Sequence, residues 1–280
     1  MKKYLRKIYY SLPLNLRFLL RRIIYFPNDL FSKKEYNGII LPPKGLIFTG
    51  GGDFLSQAKL HTNYLIKYAN LKPNSKVLDV GSGIGRSAIG LTNYLDKNGE
   101  YYGFDIVKQG VDWCKNNISS KFPSFHFKYI ELENDLYSNS GDKSTNFTFP
   151  YPDEKFDVVF LMSVFTHLQV DEIAHYLKEI NRVLSKKGVL MATFFIYDDK
   201  IENKISNKDF RFSFPYNFNN YRLMNNNVKN ANIAINKNYL KSISEQANLE
   251  IINFIQGFWS EEIEVKGNDF QDIIIFQKIN

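Results

Sequence analysis

The chain is expected to adopt an α/β fold: a doubly wound, mostly parallel sheet with helices on both faces and an antiparallel strand pair at its C-terminal end. Three observations predict it. Short apolar runs alternate with helical patterns from Lys76 to Ile196; a glycine-rich turn, "GSGIG" at 81–85, follows the first run; and two late apolar runs have no helix between them. With 280 residues and 44% apolar content, there is enough material for one packed domain with extensions.

The elements follow in order. "MKKYLRKIYYSLPLNLRFLLRRIIYF" opens the chain, both basic and apolar. Arg17, Arg21 and Arg22 interrupt its apolar run well short of the ~20 residues a membrane span needs, and no small-residue cleavage site follows it. What remains is amphipathic: Leu16, Leu19, Leu20 and Ile23 recur at helical spacing with Arg17 and Arg21 on another stripe. Such a helix either lies on an anionic membrane surface or packs on the domain or a partner subunit. Residues 1–44 are therefore set apart as an arm, and 45–280 as the domain. Next, "GLIFTGGGDFLSQAKLHTNYLIKYAN" reads as a glycine-rich turn and a leader helix with Leu55, Ala58, Leu65 and Tyr68 on one face.

The alternation then begins. "KVLDV" precedes helical "RSAIGLTNYL", "EYYGFDI" precedes "QGVDWCKNN", "SFHFKYIEL" precedes a polar loop, and "KFDVVFLM" precedes "VDEIAHYLKEINRVL" and the strand "GVLMATFFI". The rhythm stops at an asparagine-rich, aromatic insert of about 197–235, containing "DFRFSFPYNFNNYRLM". A helix, "NKNYLKSISEQAN", then leads to the terminal strands "LEIINFIQGFW" and "FQDIIIFQK". Phe210, Phe212, Phe214, Tyr216 and Tyr221 of the insert would either wall an acceptor site or form a satellite core beneath a long loop.

Charge and cysteine usage narrow the function. The formal charge is +7, and residues 1–35 hold nine basic side chains against two acidic ones, so residues 36–280 sum to zero. A polyanion would act on the arm and not on the neutral body, which argues against a nucleic-acid substrate. The single cysteine, Cys114, fits a reducing, cytoplasmic setting, with peripheral contact at the inner membrane surface if the arm touches lipid. No Cys/His cluster has metal-ligand spacing, and Asp198 and Asp199 lack a third ligand, so no metal is expected.

The glycine turn carries the chemistry. Glycines between a buried strand and a helix let a ligand approach the backbone, and the helix N-terminus offers N–H groups to an anion. A dinucleotide turn, G-x-G-x-x-G, would need glycine at 86, where this chain has Arg86; the third glycine falls one residue early, at Gly85. Asp79 precedes Gly81 by two positions. These details favour a carboxylate-bearing ligand over a pyrophosphate, and here the chain resembles the class I S-adenosylmethionine-dependent methyltransferases, whose first motif is acidic-x-G-x-G-x-G.

That resemblance, most specific over 77–105 and 150–195, implies a Rossmann-like fold and S-adenosyl-L-methionine as cofactor. It assigns Asp79, Gly81, Ser82, Gly83, Gly85 and Ser163 to the cofactor site, with the backbone around Gly81 and Ser163 surrounding the methionine portion. Arg86 would pair with its carboxylate or face solvent. Asp105, with Ile106 after it, would take the ribose hydroxyls, a chemistry that nicotinamide enzymes share. Glu131 and Leu132 match the positions beside adenine, although Glu replaces the commoner Asp. "RVLSKKG" departs from the family's proline-glycine turn.

Methyl transfer asks chiefly for positioning, because the sulfonium donor is already activated. A base is needed only for a weakly acidic acceptor, and His167 in "SVFTHL" is the candidate, with helix-entry packing as its other reading. His61, His126 and His175 receive no role. The expected activity is methylation of a small-molecule or glycan- or lipid-linked acceptor. RNA or protein methylation, an NAD(P) oxidoreductase and a non-catalytic cofactor-binding protein stand as alternatives.

Overall fold

The computed structural model describes residues 12, 14–31, 34–48, 50–134, 141–261 and 269–279. Lys2, Lys3, Arg6, Lys7 and Lys33 of the basic arm lie outside them.

Seven strands form the main sheet: β1 (Lys76–Val80), β2 (Glu100–Asp105), β3 (Phe125–Tyr129), β4 (Phe156–Leu161), β5 (Leu184–Phe194), β6 (Leu249–Ile255) and β7 (Asp272–Lys278). Their spatial order is β6-β7-β5-β4-β1-β2-β3. The five strands from β1 to β5 are parallel. β7 enters antiparallel beside β5, and β6 pairs antiparallel with β7 at the sheet edge. The terminal pair anticipated from sequence is present, with the last strand inside and the earlier one outermost.

Seven helices are described: α1 (Leu14–Phe31), α2 (Phe54–Tyr68), α3 (Arg86–Leu91), α4 (Lys108–Cys114), α5 (Val170–Val183), α6 (Asp199–Ser206) and α7 (Lys237–Gln246). Four of the starts have a local cause in a side-chain cap. Asp53 caps α2 through Ser56 N, Asn236 caps α7 through Asn238 N and Tyr239 N, and Gln169 with Glu172 forms a capping box on α5. Asp198, weighed above as a metal ligand, instead caps α6 through Lys200 N.

Alternation along the central strands divides the core into two layers. Leu78, Val80, Val159 and Leu161 pack with Ile173, Leu177 and Ile180 of α5 and Leu240 of α7. Val77, Val158 and Phe160 pack on the opposite face with Leu65 of α2, Ala88 and Ile89 of α3, and Val111 and Cys114 of α4. Both faces are covered, which is why these strands read as nearly continuous apolar runs.

The insert is more ordered than its composition suggests. Ile196–Tyr197, Ile233–Asn236, Tyr221–Leu223 and Tyr216–Asn217 form a four-stranded sheet in that order. Of the two readings of its aromatics, the satellite core holds for Phe214, fully buried with Phe195, Tyr197 and Trp259, and for Phe210 and Phe212 packed against them. Tyr221 stacks on Phe218, and Tyr216 is exposed. Arg222 ties the insert together: its guanidinium donates to Phe214 O and Pro215 O and pairs with Glu202 at 2.7 Å.

Candidate functional site

The chain connects β1 rightward to β2 and β3, then crosses back to place β4 on the other side of β1. This reversal opens a crevice at the carboxyl ends of β1 and β4, where doubly wound folds hold ligands. The glycine turn, Asp105 and Ser163 lie at this end of the sheet, while His167 lies farther along.

The turn 81–85 owes its shape to left-handed backbone at Gly81, Gly83 and Gly85, with φ of 81°, 56° and 74°. Position 86 begins α3 with ordinary helical geometry, so an arginine fits where a dinucleotide turn would need glycine. Gly81 has a second constraint: a Cβ there would overlap Val164 Cγ2, in the loop that follows β4. The turn is anchored to β2 through Gly81 N and Ser82 N, which donate to Phe104 O at 2.9 and 3.0 Å.

Asp105, at the end of β2, grips the turn from the other side. One carboxylate oxygen accepts from Gly83 N at 2.7 Å and the other from Val107 N at 2.7 Å. Burial pushes its pKa up to about 6 despite these backbone donors. Ile106 N is a third backbone donor, so of a carboxylate's about four lone-pair sites roughly one is left over. Ile106 follows, half-buried.

Asp79 stands behind the turn. Its side chain lies on the α2–α4 face of the sheet, where its carboxylate accepts from Tyr101 OH at 2.6 Å. Burial raises its pKa to about 7, the tyrosine donor opposes that rise, and Asp105 adds to it. Asp79 and Asp105 are thus both carboxylates stripped of water, on adjacent strands.

Arg86 projects toward the N-terminal side of the crevice, 5.2 Å from the Phe54 ring centre and against Gly50. His61 Nδ1 lies 2.8 Å from Ser87 Oγ, and burial together with Arg86 lowers the imidazole pKa to about 4, keeping the ring neutral. Ser163 holds a left-handed φ of 60°, rare for a side-chain-bearing residue. Its N–H donates to Thr193 Oγ1 at 2.7 Å and its hydroxyl to Gln271 Oε1 at 2.9 Å. Ile130 N donates to Asp105 O, so Glu131 and Leu132 continue from the β2 end, Leu132 buried and Glu131 exposed.

His167 sits farther along, at the boundary with the insert, with Nδ1 2.8 Å from Asn230 O. A carbonyl only accepts, so Nδ1 carries the proton and Nε2 is the ring's acceptor. His175 bonds Phe147 O, and His126 packs on Tyr102. Among the described residues, no group of three or more His, Cys, Asp or Glu is placed to hold a metal.

Sequence reading missed His61, Tyr101, Thr193 and Gln271. Their partners lie 22 to 108 positions away, with no local pattern to betray them. It also missed the buried Asp272, whose carboxylate accepts from Ile196 N, Gly257 N and Trp259 Nε1.

The site suits an adenosyl ligand. Ser82 Oγ in the turn is buried with no hydrogen-bond partner, and the Asp105 carboxylate retains acceptor capacity. A doubly wound sheet with this turn and this strand-end acid defines a protein that binds a nucleoside-bearing cofactor at its switch point. A family model described as a methyltransferase domain matches residues 71–248. The chain belongs to this family, the class I S-adenosylmethionine-dependent methyltransferases, and S-adenosylmethionine is the cofactor that membership implies.

Relatives are distant. Phosphoethanolamine N-methyltransferase of Plasmodium falciparum is 26% identical over 156 residues, covering 55% of this chain and 52% of that protein. Sterol 24-C-methyltransferase erg6 of Aspergillus fumigatus is 26% identical, covering 56% of this chain and 37% of its own length. The chain therefore spans about half or less of these curated relatives. An S-adenosylmethionine-dependent methyltransferase structure from Clostridium acetobutylicum superposes with a TM-score of 0.52 at 13% identity, over 82% of this chain and 93% of that one, a likeness of fold.

Proposed function

We propose that the protein transfers the methyl group of S-adenosylmethionine to a small-molecule acceptor. The observation that carries this is the crevice itself: Gly83 and Asp105 joined through backbone N–H and carboxylate at the switch point, beside an unpartnered Ser82 hydroxyl. The two curated relatives described above are named for small-molecule acceptors, phosphoethanolamine and a sterol. A neutral body outside the arm also favours a small acceptor over a polyanion.

When bound, the cofactor supplies a methyl group already activated as a sulfonium. The residues of this chain would do the rest by holding and orienting. Asp105 accepts from the ribose with the acceptor capacity that Gly83, Val107 and Ile106 leave over. Glu131 and Leu132 border the adenine, and Ile106 packs beside it. Arg86, desolvated against Phe54, pairs with the carboxylate of the methionine portion, and the backbone at Gly81 and Ser163 encloses that portion. Asp79 acts indirectly, holding the strand end through Tyr101. For a hydroxyl acceptor, His167 is the base: Asn230 O holds Nδ1–H and Nε2 takes the proton.

Calorimetric titration with S-adenosylmethionine and with NADH tests the reading. Binding of the first and not the second is expected, and Asp105→Ala should weaken it at least tenfold. Radiolabelled methyl transfer into the small-molecule fraction of a host extract should vanish with the same variant. Binding of NADH alone would overturn the proposal.

A further inference from the structure

Helix α1 presents an unusual face. Leu16, Leu19, Ile23, Phe26 and Leu30, spaced alternately three and four apart, form one stripe, and each is between 40% and 60% exposed. Ile24 and Phe31 widen it and are more exposed still. The opposite side faces the domain: Phe18 packs on Phe48 with ring centres 5.5 Å apart, and the Asp29 carboxylate accepts from Lys44 N and Gly45 N. The helix is therefore held by one flank while its apolar flank is directed at solvent.

Charge indicates what covers that flank. At 100° per residue, Arg17 borders the widened stripe beside Ile24 and Arg22 borders it on the other side, while Arg21 lies behind Arg17 with its guanidinium over the Tyr25 ring. The one acid of the helix, Asp29, is turned inward and engaged with backbone. Pairing two copies stripe to stripe would bring the bordering arginines of each helix together, like charge against like. A surface that is anionic at the rim and apolar beneath satisfies both sets of side chains, with the arginines reaching up to headgroups. The 18-residue helix is about 27 Å long and would lie flat. Among the described residues no helix is long and apolar enough to cross a membrane.

We infer that α1 is a docking surface for an anionic lipid bilayer, seating its Leu16–Leu30 stripe at the acyl boundary and its arginines among the headgroups. The inference stands on the helix alone and does not depend on the methyltransferase reading.

The test is co-sedimentation of the full chain with vesicles of phosphatidylcholine alone and of equal parts phosphatidylcholine and phosphatidylglycerol. Binding to the mixed vesicles, weakening as salt rises, is expected. Replacing Arg17, Arg21 and Arg22 by Gln should lower partitioning about fivefold per residue, on the order of a hundredfold together. Leu19→Glu with Ile23→Glu should abolish it, and because these side chains are exposed, the melting temperature should not move. Asp105→Ala should sediment like the unmutated chain, so loss of docking and loss of the cofactor reading register separately. Equal sedimentation with both vesicle types, or none with either, would overturn the inference. So would a dimer in sedimentation velocity that Ile23→Glu dissociates.

Discussion

Replacing Gly81 by alanine attacks the turn at two separable points. The residue holds φ of 81°, where an alanine costs roughly 1–2 kcal/mol. Its new Cβ would also overlap Val164 Cγ2, and overpacking of that kind costs about 1–3 kcal/mol. The sum, about 2–5 kcal/mol, corresponds to a fall in melting temperature of about 5–15 °C for a domain of this size. The geometry also predicts a rescue. Once the γ-methyls of Val164 are removed, the nearest remaining atom on that side chain is its Cβ at 3.7 Å, an ordinary contact. A double-mutant cycle of Gly81→Ala with Val164→Ala, followed by urea unfolding, should return a favourable coupling of about 1–3 kcal/mol while the backbone cost persists. Additive effects would refute the claim that Val164 forces glycine at this position. A coupling that restores full stability would refute the contribution of φ.

Other outcomes follow from the same geometry. Burial raises the pKa of Asp79 to about 7 and those of Asp105 and Asp272 to about 6, so each takes up its proton in the folded state before the unfolded one. The free protein should therefore melt higher as pH falls from about 7 toward 4, and a melting temperature that falls instead would refute this, while S-adenosylmethionine affinity measured by calorimetry should weaken as pH drops through about 6. Asp272→Ala strands three buried donors, Ile196 N, Gly257 N and Trp259 Nε1, and at about 1–3 kcal/mol each should cost 3 kcal/mol or more in chemical denaturation. Ser163→Gly gives up the bond to Gln271 yet relieves a left-handed φ, so its melting temperature should stay level or rise. A large fall would show that the side chain, and not the strained backbone, matters there.

Much of the fold was legible because its signals are local. The strands β1 to β5 announce themselves as apolar runs covered on both faces, and α5 as Ile173, Tyr176, Leu177, Ile180 and Val183 at helical spacing with a capping box before them. The candidate cofactor residues were legible for the same reason: a left-handed turn demands glycine at 81, 83 and 85, and a strand-end acid at 105 follows within one βαβ unit. The insert was less so. Its polar, asparagine-rich composition hides a four-stranded sheet, because its core aromatics are completed by Phe195, Trp259 and Phe270, residues outside the insert.

From its sequence alone the chain determined its layer order, its family resemblance and the position of the turn, since these depend on periodicity and on backbone geometry within a few residues. Tertiary structure alone decided that Asp79 serves Tyr101 while Asp105 grips Gly83, that a neutral His61 stands behind Arg86, and that α1 directs its apolar stripe outward. Those outcomes depend on which face of a strand or helix meets which neighbour across the molecule. Such pairings are set by desolvation and packing over long sequence separations, where residue spacing carries no information.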